Sequence, residues 1–352
     1  MNSPQRLNEI CGVTEGALRV EPLLVLLQLL EDHQLDANAM IREAGGDPAL
    51  FKDPENAIEF SLVGNLLEHI ATVTAIRYPG LEFGRLAGLE VLGALGNAIR
   101  LAPDLGTALR VLILFFHIHD RGAIPTLWES GDRTMFGYTL YCPKIRGVEH
   151  IYDAALAISH NVLTGLAGKR WKSIEVHMFR KPPADDKRFR QHFSTDLRFR
   201  TEHAAIVFPT SYLTEPLPGA DPVAYAQALH ELEDMDAVTD SHLISTKVNR
   251  VLYHKFIAGE GLDGIELNKI AELFELHPRT FNRRLKAEGA AFNTLLAESR
   301  YNVALQLLRD TQVKIRDIAF LLGYADTASF NRAFRRWSGT TATQWRSSNS
   351  LN

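Results

Sequence analysis

Apolar positions recur along the chain at two different periods. Leu18–Glu31 is almost solidly apolar and Leu-rich. It is too long for one strand and predicts a buried helix. Glu59–Ala75 carries Phe60, Val63, Leu66, Leu67, Ile70 and Val73 at helical spacing. A third helix is predicted over Asp104–Ile118. From Ile124 the period shortens. Ile124–Ser130 and Arg133–Tyr141 are aromatic-rich and partly alternate, and Ser130-Gly131-Asp132 between them is a turn sequence. That combination predicts a β-hairpin. Val148–Leu166 is helical again. Ser173–Phe179 alternates as a strand, Lys187–Phe193 reads as a short helix, and Ala204–Phe208 reads as a further strand. Residues 214–222 then hold Pro216, Pro218, Gly219 and Pro222, which break regular structure. Only helical patterns follow. The expected fold is mainly α: an α+β domain over residues 1–220, a linker over 221–241, and an all-α domain over 242–348.

One pattern inside the helical part occurs twice. In Leu267–Glu288 a first helix carries Ile270, Ala271 and Phe274 inward, and a break follows at Glu275–His277. Pro278 suits a helix's first turn, where its missing N–H has no intrahelical partner anyway. Phe281 and Leu285, four apart, anchor the second helix. Lys314–Trp337 repeats the arrangement with Ile318 and Ala319, a turn at Gly323, Asp326 as N-cap, and Phe330 and Phe334 as anchors. The offset from Phe281 to Phe330 is 49 residues. Phe292–Leu308 between them reads as one long helix. These are two helix-turn-helix units, near 266–287 and 315–337, whose second helices are built to enter a major groove.

Charge follows the same division. Residues 1–238 carry 22 Lys+Arg against 31 Asp+Glu, whereas residues 239–352 carry 16 against 11. A basic module on an acidic remainder suits a polyanion such as nucleic acid, double-stranded DNA included, and equally an ordinary solvated helical surface. The longest apolar runs, Leu23–Leu27 and Val111–Phe116, fall far short of the about 20 residues of a membrane span. The start of the chain lacks the features of a secretory signal, so the cytoplasm is the expected location. Two cysteines, Cys11 and Cys142, exclude a disulfide framework and a four-cysteine zinc site.

The string RDIAFLLGYADTASFNRAFRRWSGTTATQWR at 316–346, preceded by HPRTFNRRLKAEG at 277–289, resembles the AraC/XylS family of bacterial transcription regulators. Ile174–Phe208, with RKPPADDKRF, HFSTDLRF and a closing AIVFP, is similar to the arabinose-binding-type sensor domain of one branch of that family. The resemblance implies a small-molecule effector bound by the N-terminal domain, a homodimer on paired sites, and contact with RNA polymerase as an activator. It implies no cofactor and no enzymatic activity. Three positions depart from the family pattern. Glu275 stands where glycine is frequent, His277 where a Ser N-cap is usual, and Ala342 where proline is usual. A positive φ at Glu275 costs about 1 kcal/mol, and a lost cap at His277 about as much.

Arg279, Asn282 and Arg283 in the first unit, and Thr327, Asn331 and Arg332 in the second, are the candidate base readers. Arg pairs with two guanine acceptors and Asn with adenine in the same two-pronged way. The alternative for each is a solvated helix face, and for Arg332 also a phosphate contact or an internal ion pair. Lys286, Lys314, Arg335 and Arg336 suit phosphate, where contacts position the protein without reading sequence, or are plain surface charge. Arg300, among apolar residues of the linking helix, suits a structural ion pair.

The N-terminal domain is less legible. His117, Trp128 and Tyr138 are candidates for an effector pocket, and the alternative is core, since aromatics on short strands are commonly buried there. His117 and His119 at i, i+2 do not share a helix face, so a metal needs ligands from elsewhere. The glycines at 88–96 and 165–168 lack the spacing of a dinucleotide or phosphate loop, and no G-x-S-x-G motif occurs. The rival reading is a metal-dependent sensor or enzyme domain with auxiliary DNA binding.

Overall fold

The computed structural model describes residues 17–140, 145–201, 204–238, 244–257, 265–274, 276–310 and 313–349. Cys11, Tyr141, Cys142 and Glu275 lie outside them. The chain divides into two compact units, one over residues 13–236 and one containing residues 237–352.

The first unit is α+β. Its elements begin with β1 (Ala17–Arg19), α1 (Leu24–Asp32), α2 (Ala37–Glu43), β2 (Ala57–Glu59) and α3 (Phe60–Val73). They continue with α4 (Pro79–Leu86), α5 (Gly93–Leu101), α6 (Leu105–Phe115), β3 (Ala123–Ser130) and β4 (Arg133–Leu140). Then come α7 (Val148–Ala167), β5 (Glu175–Met178), α8 (Lys187–Phe193), β6 (Asp196–Phe199), β7 (Ala204–Pro209) and α9 (Pro222–Val238). Five strands form one sheet in the order β3-β4-β7-β5-β6. Among the described residues, only β5 and β6 pair in parallel. The expected hairpin is present, with Ser130 opposite Arg133 across a two-residue turn and Gly131 at φ 63°.

One sheet face packs on the helices. Phe136, Leu140, Val176, Met178, Ile206 and Phe208 from the strands share a core with Ile151, Ala154 and Val162 of α7. α7 also crosses α4 closely. A Cβ at Gly80 would stand 1.8 Å from the His150 carbonyl oxygen, and one at Gly84 would stand 2.7 Å from that of Ala154. Those glycines are therefore fixed by space.

Two expectations need correction. Leu18–Glu31 is not one helix. Leu18 lies in β1, paired with β2, and the Arg19 N–H donates to the His119 carbonyl at 3.1 Å. Pro22 then opens a 3-10 turn, Glu21–Leu23, because a proline starts a helical segment but cannot sit inside one. Nor is 221–241 a plain linker. Residues Pro222–Val238 form α9, with Asp221 accepting from the Val223 and Ala224 N–H groups at its start. Ala228 and Leu232 of α9 belong to the N-terminal core, and Asp236 is buried against His117. The prolines and glycine before α9 hide how apolar its inner face is.

The second unit is all α: α10 (Ile244–Ile257), α11 (Leu267–Leu273), α12 (Pro278–Ala287), α13 (Phe292–Asp310), α14 (Ile315–Leu321), α15 (Thr327–Ser338) and α16 (Ala342–Asn349). The long helix expected over Phe292–Leu308 is α13.

A fragment of residues 13–238 should therefore melt well above one truncated at residue 220. Loss of Leu232 alone removes a fully buried side chain, a change costing about 2–5 kcal/mol. Circular-dichroism melts of the two fragments check this. Equal midpoints would show that α9 adds nothing to the N-terminal core.

Candidate nucleic-acid interface and ligand cavity

In the first helix-turn-helix unit, α11 buries Ile270 and Ala271, and α12 buries Phe281 and Leu285. The Phe274 and Phe281 rings meet at 5.6 Å. In the second, α14 buries Ile318 and Ala319, and α15 buries Phe330 and Phe334. The two turns are closed by the same hydrogen bond. The Leu276 N–H donates to the Ala271 carbonyl at 3.0 Å, and the Tyr324 N–H donates to the Ala319 carbonyl at 2.9 Å. Each spans five residues, as in the motif that ends helices on a left-handed residue. In the second turn that residue is Gly323, at φ 75°.

Burial of the anchors decides what faces out. Arg279, Arg283 and Lys286 on α12 are exposed, as are Arg332, Arg335 and Arg336 on α15 and Lys314 at the N-cap of α14. Asn282, Thr327 and Asn331 are half-buried. The Asn331 Oδ1 is enclosed with no hydrogen-bond partner, and Arg332 leans back to donate to the Ser329 hydroxyl at 2.8 Å. The exposed cations thus form the outer surface, and the two Asn residues sit beneath it at equivalent positions. Arg300 is structural, but not through an ion pair as expected. Its Nε donates to the Leu322 carbonyl at 3.0 Å, and its guanidinium lies over the Tyr324 and Phe256 rings. A carbonyl at the end of α14 lacks a helical partner, which suits a buried donor. Arg284, unremarked in the sequence, is also exposed on α12.

The N-terminal unit holds a half-open cavity of about 100 Å³ between the sheet, α3, α4, α6 and α7. Its walls are largely aliphatic and aromatic, with His119, Asp120, Tyr138 and Ser159 as the polar side chains. Asp120 is the organising group. Its Oδ1 accepts from the Gly122 and Ala123 N–H groups at 2.8 and 3.1 Å, and its Oδ2 accepts from the Tyr138 hydroxyl at 2.7 Å. Burial raises its carboxyl pKa to about 6 despite those donors. Burial lowers the neighbouring His119 to about 4, so its imidazole is neutral at pH 7.

Of the three effector candidates, only Tyr138 lines this cavity. His117 turns to α9, where its Nε2 lies 2.6 Å from Asp236 Oδ1. Trp128 faces the other side of the sheet. It pairs with Met135, and its ring covers Gly137, where a Cβ would meet Trp128 Cη2 at 3.2 Å. Asp120 has no sequence signal as a cavity residue, because its link to Tyr138 is a side-chain hydrogen bond across 18 residues that only the fold makes.

Comparison with known proteins decides the family. The model of the arabinose-binding N-terminal domain of the AraC transcription regulator matches residues 35–217, and a helix-turn-helix domain model matches 270–348. The chain belongs to the AraC family of transcription regulators. It is 24% identical over 322 residues to the ornithine utilization regulator of Pseudomonas aeruginosa, covering 91% of this chain and 94% of that one. It is 27% identical over 322 residues to the regulator VirS of Mycobacterium tuberculosis, covering 87% and 93%. The crystal structure of the regulator CdpR from Pseudomonas aeruginosa resembles it over 93% of this chain and 98% of that one, at 19% identity and a TM-score of 0.47. As an AraC-type regulator it binds DNA through its helix-turn-helix domain and carries an N-terminal effector-binding domain. Among the described residues, no helix is long and apolar enough to cross a membrane.

Two departures from the AraC-family pattern are compensated. His277 caps α12 itself, its Nδ1 accepting from the Arg279 N–H at 3.3 Å. Ala342 is fully buried at the start of α16, whose cap is a reciprocal pair. The Thr341 N–H donates to Gln344 Oε1 at 3.1 Å, and the Gln344 N–H donates to Thr341 Oγ1 at 3.3 Å.

Asp120 gives a pH test. A carboxyl raised in the folded state contributes stability below its unfolded pKa of 3.8 and loses it as pH rises through about 6. Asp120→Asn removes that titration. Between pH 5 and 7.5 the wild type should lose about 1–1.5 kcal/mol relative to the variant. Urea unfolding of both proteins at the two pH values measures this; a difference independent of pH contradicts the placement of Asp120.

Proposed function

We propose that this regulator is a cytoplasmic, homodimeric activator. Each protomer reads two adjacent major-groove segments through α12 and α15. A small effector in the N-terminal domain governs contact with RNA polymerase. The homodimer and the polymerase contact rest on the family resemblance. DNA reading rests on a single observation: Arg283 and Arg332 stand exposed at equivalent positions of two helices whose opposite faces are buried. Arg283 and Arg332 contact base edges directly. Arg279, Thr327, Asn282 and Asn331 contribute around them, the two Asn residues from half-buried positions. Lys286, Lys314, Arg335 and Arg336 hold phosphate.

Footprinting on bound genomic sites should show two protected major-groove segments about 34 Å apart on one DNA face per protomer. A single short protected segment would mean that the first unit is not engaged.

Arg283→Ala should cost about 1–3 kcal/mol on the cognate site and relax preference at one base pair. Arg336→Ala, beyond the reading turns of α15, should weaken cognate and random DNA alike and reduce the salt slope by about one unit. Filter binding at several salt concentrations distinguishes them. Uniform weakening by Arg283→Ala with altered base preference in Arg336→Ala reverses the two roles.

A further inference from the structure

The cavity in the N-terminal unit is selective by what it lacks. Leu23, Phe60, Leu67, Phe83, Phe136 and Val162 represent its walls, and no Lys or Arg is among its lining residues. An anionic ligand meets no countercharge there and has the Asp120 carboxyl as a neighbour. A zwitterion or an ammonium gives up its hydration to one carboxyl already held by three donors. A sugar brings more hydroxyls than four polar side chains satisfy, and each unpaired hydroxyl carries a desolvation cost. An apolar body has none of these costs. The volume of about 100 Å³ compares with roughly 150 Å³ for an apolar cavity known to admit benzene. The scale is therefore one small ring or a short chain, seated by modest shifts of the wall.

One polar group has a place. An ionised carboxylate offers about four acceptor positions. Asp120 uses three, on Gly122, Ala123 and Tyr138. The neutral His119 imidazole and the Tyr138 ring both lie against Phe116, at 5.9 and 6.2 Å, with Asp120 next in the chain to His119.

We infer that this cavity is the effector site and takes a small, uncharged, largely apolar molecule with one hydroxyl, of the phenol class, whose hydroxyl donates to Asp120 beside Tyr138 and His119. The inference rests on the reading of the N-terminal domain as the effector domain and names its ligand class. Asp120 is three residues beyond His117, which holds Asp236 near the end of α9. The hydroxyl therefore binds a short segment that also fixes the last helix of this unit.

The test uses thermal melting of the full-length protein with phenol, benzene, benzoate, ornithine or arabinose at matched concentrations. Phenol should raise the midpoint in a dose-dependent way, by about 5 °C at a hundredfold excess over its dissociation constant. Benzene should give a smaller rise, and benzoate, ornithine and arabinose none. Ala155→Leu fills the cavity from α7 and should melt like the wild type while losing the phenol shift. Ser159→Leu, one turn further along α7, is the second block, and each variant's ligand-free melt shows that it folds. A shift from ornithine or arabinose but not phenol overturns the ligand class and leaves effector binding standing. A phenol shift that persists in both filled variants overturns the site. No shift from any of the five overturns the inference. A phenol shift abolished by the filled variants supports it. If phenol then leaves RNA-polymerase transcription from operator DNA unchanged in vitro, the ligand class of the cavity holds and the effector reading fails.

Discussion

Phe281 and Leu285, and Phe330 and Phe334 in the second unit, have no exposed surface. A helix that buries two side chains four residues apart has one way to present the remainder, because 3.6 residues make a turn. On α12 that places Arg279, Arg283 and Lys286 in solvent, and on α15 it places Arg332, Arg335 and Arg336 there. The rings do more than fill space. Phe334 meets Phe330, Tyr301 of α13 and Trp345 of α16 at 5.7, 5.8 and 6.4 Å. One side chain thus ties the second recognition helix to the long helix and to the final one. A helix so held keeps its orientation before DNA arrives, which reduces the ordering cost of binding.

In the N-terminal unit a comparable role falls to a polar group. Asp120 joins the start of β3, through Gly122 and Ala123, to β4, through Tyr138. The residues around it hold β1, with the Arg19 N–H on the His119 carbonyl and the Arg121 N–H on the Ala17 carbonyl, at 3.1 and 2.9 Å. Burying a carboxyl is unfavourable, and its raised pKa registers that cost. The cost is offset by three donors drawn from two segments, so one group fixes the start of β3 against β4. The same group forms the polar end of an otherwise apolar cavity.

The sequence was informative where a long element repeats its period, and silent where contacts join distant segments. α7 and α13 are long and keep their apolar spacing, so their limits were visible. The turn at Gly131 was visible because its residues are specific to turns. β2 and β6, at three and four residues, are too short to show alternation. α9 was obscured by prolines that begin a helix as readily as they interrupt one. The cavity left no local signal, since its lining comes from segments between Leu18 and Val162 that only the fold brings together. Trp128 and Tyr138 looked alike in sequence. Register separates them: Trp128 pairs with Met135 and Tyr138 with Pro125, and successive strand residues point to opposite faces.

The two helix-turn-helix units show which features such a motif must keep. The five-residue hydrogen bond across the turn and the buried pair four apart occur in both. The cap does not need to be the same residue. Asp326 accepts from the Ser329 N–H at 2.6 Å in one, and His277 uses an imidazole nitrogen in the other. A cap needs only an acceptor near the first free N–H groups, so its chemistry is free to vary while its position is not. The outer faces follow the same logic. At the 49-residue offset, Asn282 matches Asn331 and Arg283 matches Arg332, whereas Arg279 and Arg284 match Ala328 and Ala333. The shared pair sits on the same turn in both helices, above the same buried ring. The unmatched arginines give the first helix two more exposed cations than the second has at those positions. The two helices thus share one backbone frame and one common pair, and differ in the charge that surrounds it.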